Sequence, residues 1–177
     1  MIKYAITDPS FFNPYNPQNY LMNLDCDYLL FRDKITSNYK ADAKAFMKIT
    51  KEYSFKKIIH QDYILAKELN ASGVHLSSKQ FNDIKKAKSL ALEVIISTHS
   101  LEEIKKAKEF GADMVTFSPI FYTPNKGEAK GLDELKKAIE CCNIKVIALG
   151  GIITKEHIEL IKNLNPYGFA SIRYFVK

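Results

Sequence analysis

Eight short apolar runs of four or five residues, rich in β-branched and aromatic side chains, recur along the chain at fairly even spacing. They are IKYAI (Ile2 to Ile6), YLLF (Tyr28 to Phe31), KIIH (Lys57 to His60) and GVHL (Gly73 to Leu76), then EVIIS (Glu93 to Ser97), DMVTF (Asp113 to Phe117), KVIAL (Lys145 to Leu149) and GFASI (Gly168 to Ile172). Runs of this length and composition predict strands. Between most of them lies a segment with helical periodicity. The clearest is SLEEIKKAKEFGAD, where Ser100 is placed to cap, Glu103 stands three residues on, and Gly111 ends the pattern. Leu101, Ile104, Ala107 and Lys108 are expected to form its buried face. Helices are also predicted over Tyr39 to Lys51, Asp62 to Asn70, Lys79 to Leu90, Leu132 to Cys141 and Lys155 to Asn163. The first connection, PSFFNPYNPQNY, carries three prolines and allows only a short helix near Asn19 to Leu24.

Strands alternating with helices imply a parallel sheet, because each parallel pair needs a crossover. Eight such units favour a closed (β/α)8 barrel of the TIM type, with a doubly wound open sheet as the competing fold. Barrels of this kind typically run to about 250 residues. This chain has 177, and only a few follow the last strand candidate. A small, trimmed barrel lacking its last helix is the expectation. With 46% hydrophobic residues, the length suits one packed core and is short for two ordinary domains.

The cysteines Cys26, Cys141 and Cys142 include an adjacent pair and lack ligand-like spacing, so neither a disulfide framework nor a zinc site is indicated. The opening MIKYAITDPS has no secretory pattern, and no apolar run approaches the length needed to cross a bilayer. An unexported cytoplasmic protein is expected. The net charge of +6 would suit nucleic acid, a membrane surface or an anionic metabolite. Lysines scattered along helices, with no dense basic run and no reader motif, argue against nucleic acid.

In such a barrel the functional groups sit at the C-terminal ends of the strands, and the loops after strands seven and eight often bind phosphate. After the seventh run comes ALGGI, where Gly150 and Gly151 either let the backbone approach an anion or simply make a tight turn. After the eighth comes SIRYF, which sets Arg173 beside them. Arginine suits fork-like contact with phosphate oxygens. FRDK puts Arg32 and Lys34 on the rim, as anion contacts or as a solvated helix approach. His60 and Gln61 close the third run, and a histidine there is a candidate general acid or base. His75, inside a strand candidate, reads as a core residue; His99 and His157 read as structural.

The segments GVHLSSKQ, VIISTHSLEEIKKAKEFGADMVTFSPIFYTPNK and VIALGGI together resemble the thiamine phosphate synthase and TenI family, with KYAITD and LLFRDK matching more loosely. The resemblance implies a small barrel of thiamine biosynthesis. The synthase branch joins a pyrimidine pyrophosphate to a thiazole phosphate; the TenI branch includes enzymes that convert a thiazole phosphate carboxylate tautomer into its aromatic form. By the same resemblance, Thr123 and Lys126 match the substrate-contacting threonine and lysine of the loop after strand six, and Asn125 replaces a second threonine. Ser97 matches the family serine after strand five. Gly151 and Ile172 match the phosphate region, where Arg173 stands in place of a usual serine.

The departures bear on the branch. The two aspartates that hold magnesium in the synthase correspond to Gln61 and Gln80, and Leu30 and His60 replace a glutamine and an asparagine. Magnesium is normally bound through carboxylates plus phosphate oxygens, so two amides are expected to weaken that site. The leading expectation is therefore a TenI-like thiazole tautomerase that binds thiazole phosphate and needs no cofactor. His60 and Lys126 are its catalytic candidates, since Pro119 occupies the place of the TenI loop histidine. The alternatives are a magnesium-using thiamine phosphate synthase and a non-catalytic thiazole phosphate-binding barrel. A missing last helix would leave apolar surface near YFVK, which suggests a homodimer.

Overall fold

The computed structural model describes residues 1–176. Eight parallel strands close into a barrel in sequence order, β1 (Ile2–Ile6), β2 (Tyr28–Phe31), β3 (Lys56–His60), β4 (Gly73–Leu76), β5 (Glu93–Thr98), β6 (Met114–Phe117), β7 (Lys145–Leu149) and β8 (Gly168–Ser171). The ring shuts where β1 pairs with β8, Tyr4 opposite Ala170. The helices are α1 (Gln18–Leu21), α2 (Tyr39–Ile49), α3 (Tyr63–Glu68), α4 (Ile84–Ser89), α5 (Leu101–Phe110), α6 (Gly131–Glu140) and α7 (Lys155–Lys162). The open sheet is excluded.

Period-two alternation divides the apolar residues into two cores. Tyr4, Ile6, Tyr28, Leu30, Ile58, Ile95, Met114, Ile147 and Ala170 fill the barrel interior. Their sequence neighbours, including Ala5, Leu29, Phe31, Ile59, Val74 and Ile96, face outward and pack under the helices. Phe31 stacks on Phe46 of α2 at 5.1 Å. Both faces of every strand are thus buried, as parallel sheets require.

Local signals set the helix ends. The Ser100 side chain accepts from the Glu103 amide at the start of α5, and Gly111 closes it in the left-handed region at φ +91°. Asp62 and Thr154 cap α3 and α7 in the same manner. Three expectations need correction. Lys108 is exposed, whereas Ile104 and Ala107 of the expected face of α5 are buried. The segment expected as one helix from Lys79 begins as a 3-10 turn, Phe81–Asp83, before α4. The eighth run ends as a strand at Ser171, leaving Ile172 in the loop.

Among the described residues, β8 is followed by a 3-10 turn, Arg173–Phe175, and not by a helix. Phe175 is buried and lies parallel to Phe169 at 5.9 Å. The apolar surface expected at YFVK is therefore taken up within the chain as far as Phe175; Lys177 lies outside the described residues. No helix among the described residues is long and apolar enough to cross a membrane.

Candidate active site

A cavity of about 370 Å³ opens at the C-terminal ends of the strands. Each strand or the loop directly after it contributes to its wall or floor, from Ile6 of β1 round to Ala170 of β8. Of the residues singled out in the sequence, Arg32, Lys34, His60, Gln61, Ser97, Thr123, Lys126, Gly150, Gly151, Ile172 and Arg173 line it. Asn125 and Gln80 do not.

Arg32 is set by its backbone. The buried Thr7 hydroxyl accepts from the Arg32 amide at 2.8 Å and lies 3.2 Å from the Arg32 carbonyl, fixing the ends of β1 and β2 together. The guanidinium is half-buried, 3.8 Å from the Asp8 carboxylate. Burial draws its pKa down, opposed by Asp8 and Asp33. Lys34 is exposed, and its pKa is lowered first by Arg32, then by burial and by Lys126. Three cations from two loops therefore face one cavity, with Lys34 close to the other two.

The loop after β6 is clasped by the end of β7. Ile120 donates to the Leu149 carbonyl at 2.9 Å and Phe121 to the Gly150 carbonyl at 3.0 Å. A Cβ on Gly150 would come 2.6 Å from the Pro119 Cα, and one on Gly151 2.6 Å from the Tyr122 carbonyl oxygen. Both glycines sit at positive φ, +99° and +69°. The glycine pair is thus required by this close approach of backbones, and its exposure to the cavity follows from that packing. Beyond the clasp, Thr123 donates to the Phe121 carbonyl at 3.1 Å, and Lys126 closes the turn on the Thr123 carbonyl at 3.2 Å. Asn125 occupies the left-handed position of that turn, φ 61°, a conformation asparagine tolerates. Its backbone geometry is that of a turn-former.

Below the cavity floor lies a polar relay. Nδ1 of the buried His75 is 2.9 Å from the Tyr4 hydroxyl, and its Nε2 is 3.0 Å from Ser97 Oγ. Burial, then His60 and Arg32, push the His75 pKa down to about 3, so the ring is neutral with one donor and one acceptor nitrogen. Ser97 is thereby oriented from beneath. Replacing Tyr4 with Phe leaves a buried imidazole nitrogen without its partner, and thermal denaturation is expected to record a loss of about 1–3 kcal/mol.

His60 is held neutral as well. Burial first, then Arg32 and Lys34, lower its pKa from 6.5 to about 4. Since the folded form resists a proton that the unfolded chain accepts, its contribution is complete above about 6.5 and is lost as pH falls toward about 4. An NMR titration is expected to place the His60 midpoint near 4, rising when an anion joins the neighbouring cations.

The two family magnesium positions do not fit a metal here. Gln80 Oε1 accepts from the Ser77 amide at 3.1 Å and the Ser77 hydroxyl at 2.9 Å, and its Nε2 reaches the Gln61 carbonyl at 3.1 Å. The side chain is a brace between loops. Gln61 faces the cavity but offers only a neutral amide, and among the described residues no three His, Cys, Asp or Glu side chains converge.

His99, read from the sequence as structural, lines the cavity and is exposed. Its Nδ1 donates to the Ser118 carbonyl at 3.1 Å, and its amide donates to Glu103. Its place directly after β5 was a signal that could have found it. Ser77, Ser78 and Ser118 also line the cavity without having stood out in the sequence. His157 stacks on Phe121 at 4.3 Å, a structural role.

Fold and site together define a small (β/α)8 barrel whose C-terminal mouth is rich in cations and hydroxyls. A family model described as thiamine monophosphate synthase, TMP-TENI, matches residues 3–174, and the chain belongs to that family of thiamine biosynthesis. A protein of Aquifex aeolicus named putative thiamine-phosphate synthase 2 is 39% identical over 138 residues, covering 76% of this chain and 74% of that one. A thiamine-phosphate synthase of Nitrosococcus oceani is 31% identical, covering 75% of this chain and 64% of its own length. One of Clostridium acetobutylicum is 33% identical, covering 68% and 59%. The match therefore spans less than two thirds of the last two relatives. The solved structure of a thiamine phosphate pyrophosphorylase from Pyrococcus furiosus superposes with a TM-score of 0.81 at 26% identity, covering 97% of this chain and 85% of that one. An N-acetylmannosamine-6-phosphate 2-epimerase of Clostridium perfringens, 13% identical with a TM-score of 0.74, shares the fold.

Proposed function

We propose that the chain is a thiamine phosphate synthase, joining a pyrimidine pyrophosphate to a thiazole phosphate. One observation carries this reading: a single cavity is lined by four cations, Arg32, Lys34, Lys126 and Arg173, together with the Gly150–Gly151 turn. Two phosphate-bearing substrates in one site need several cations to answer their charge. When the bond to the pyrophosphate breaks, its electron pair leaves on oxygen, and fixed cations aimed at that charge lower the barrier. Supporting the same reading, the relatives above are named as synthases. Incubation with both substrates is expected to release inorganic pyrophosphate and thiamine phosphate in equal amounts, and omission of either substrate to abolish both. Turnover of the thiazole alone would overturn the proposal.

The thiazole tautomerase reading, first from the sequence, retains one favourable observation, the amides at Gln61 and Gln80. Its proton carrier is the weaker point. A base with a pKa of about 4, as for His60, accepts a proton poorly near neutral pH, and Pro119 stands where the branch uses a histidine. An unchanged tautomerisation rate in His60→Asn would remove His60 from that role.

A further inference from the structure

We infer that this site holds a diphosphate with Arg32, Lys34 and Lys126 and without a divalent metal, so that diphosphate affinity does not depend on magnesium. The inference rests on the synthase reading and deepens it by naming what neutralises the diphosphate.

Three features lead there. First, the carboxylates at this mouth are engaged elsewhere. Asp8 accepts from the Ser10 amide at 3.1 Å and faces Arg32; Asp33 accepts from the Ile35 and Thr36 amides at 2.9 Å; Asp62 caps α3 through the Leu65 amide at 2.8 Å. Gln80 spends its amide on Ser77 and Gln61, so what remains for a hard cation is one neutral oxygen.

Second, the cavity gathers three cations, of which only Arg32 faces a carboxylate at ion-pair distance among the described residues. The terminal phosphate of a diphosphate ester contributes about two negative charges and the inner phosphate about one. Three cations, one of them shared with Asp8, answer that charge directly. Arg32 and Lys126 both depress the Lys34 pKa, the mark of like charges held close, and an anion between them relieves that repulsion.

Third, the replacements work in one direction. Two aspartates at positions 61 and 80 would repel a diphosphate that arrived without its metal. Two glutamines do not, and the Gln61 amide adds hydrogen-bond donors on the cavity wall.

The test is calorimetric titration of the full chain with inorganic pyrophosphate, once in excess EDTA and once in excess magnesium. Binding is expected in EDTA, weakening as salt is raised, with added magnesium leaving the affinity unchanged or lowering it. Replacing both Lys34 and Lys126 with Gln, at exposed positions that do not support the fold, is expected to weaken it at least about tenfold. Gln61→Asp, at a left-handed position that aspartate tolerates, is expected to weaken metal-free binding and to make the affinity respond to magnesium. Affinity at least about tenfold tighter with magnesium in the unmodified chain, or no binding in either buffer, overturns the inference. Parallel titration with thiazole phosphate reads binding of the second substrate separately. Its failure would count against the synthase reading and leave the diphosphate result standing.

Discussion

If the proposed joining reaction runs here, replacing Arg32 with Ala is expected to lower its rate by about 10²–10³-fold, the usual effect of deleting one group aimed at developing negative charge. The fold should be nearly unaffected. The β1–β2 join depends on the Thr7 hydroxyl and the Arg32 backbone, neither of which the substitution removes. Asp8 loses its partner but is partly exposed and keeps the Ser10 amide. Arg32→Lys should fall between the two, because it restores the charge but not the planar fork that grips two phosphate oxygens. Steady-state kinetics beside a melting curve separates the cases. A normal rate in Arg32→Ala would remove this cation from the mechanism, whereas a collapsed melting temperature would make the residue structural.

Gly150→Ala is expected to cost about 3 kcal/mol, from the strain of a left-handed alanine and from overpacking against Pro119. For a chain of this size that corresponds to a fall in melting temperature of about 6–12 °C. Gly111→Ala provides the contrast. It shares the positive φ, +91°, but its Cβ would meet nothing within 4 Å, so only the backbone term of about 1–2 kcal/mol applies. Gly150→Ala should also reduce turnover, since the clasp from Leu149 and Gly150 to Ile120 and Phe121 positions the loop carrying Thr123 and Lys126. Equal losses in the two variants would show that the approach to Pro119 carries no energy of its own.

The fold was legible because its signals are local and repeated. Each strand candidate is short, apolar and bounded by polar or turn residues, and Ser100, Glu103 and Gly111 mark both ends of α5 by their own side-chain and backbone preferences. Boundaries slipped where tertiary packing competed with propensity. The segment after Lys79 starts as a 3-10 turn, where Gln80 is drawn into bonds with Ser77 and Gln61. Lys108 fell on the apolar stripe by counting, yet a lysine reaches water easily and lies exposed.

The site was legible only in part. Residues at strand ends were found because a barrel turns those ends into a mouth. What each residue does there depends on partners distant in sequence, and no local pattern encodes them. The sequence could not show that Asn125 forms a left-handed turn or that Gln80 braces two loops. His99 looked structural and faces the cavity.

The sequence by itself determined the eight-unit parallel barrel, the capped helices and the cationic character of the mouth, because periodicity, capping and charge are properties of neighbouring residues. Only the tertiary structure decided that Lys126 comes near Lys34, that burial with Arg32 and Lys34 holds His60 neutral, and that the end of β7 clasps the loop after β6. The physical reason is that burial, charge proximity and backbone approach arise between strands when the barrel closes, and they do not exist until it has closed.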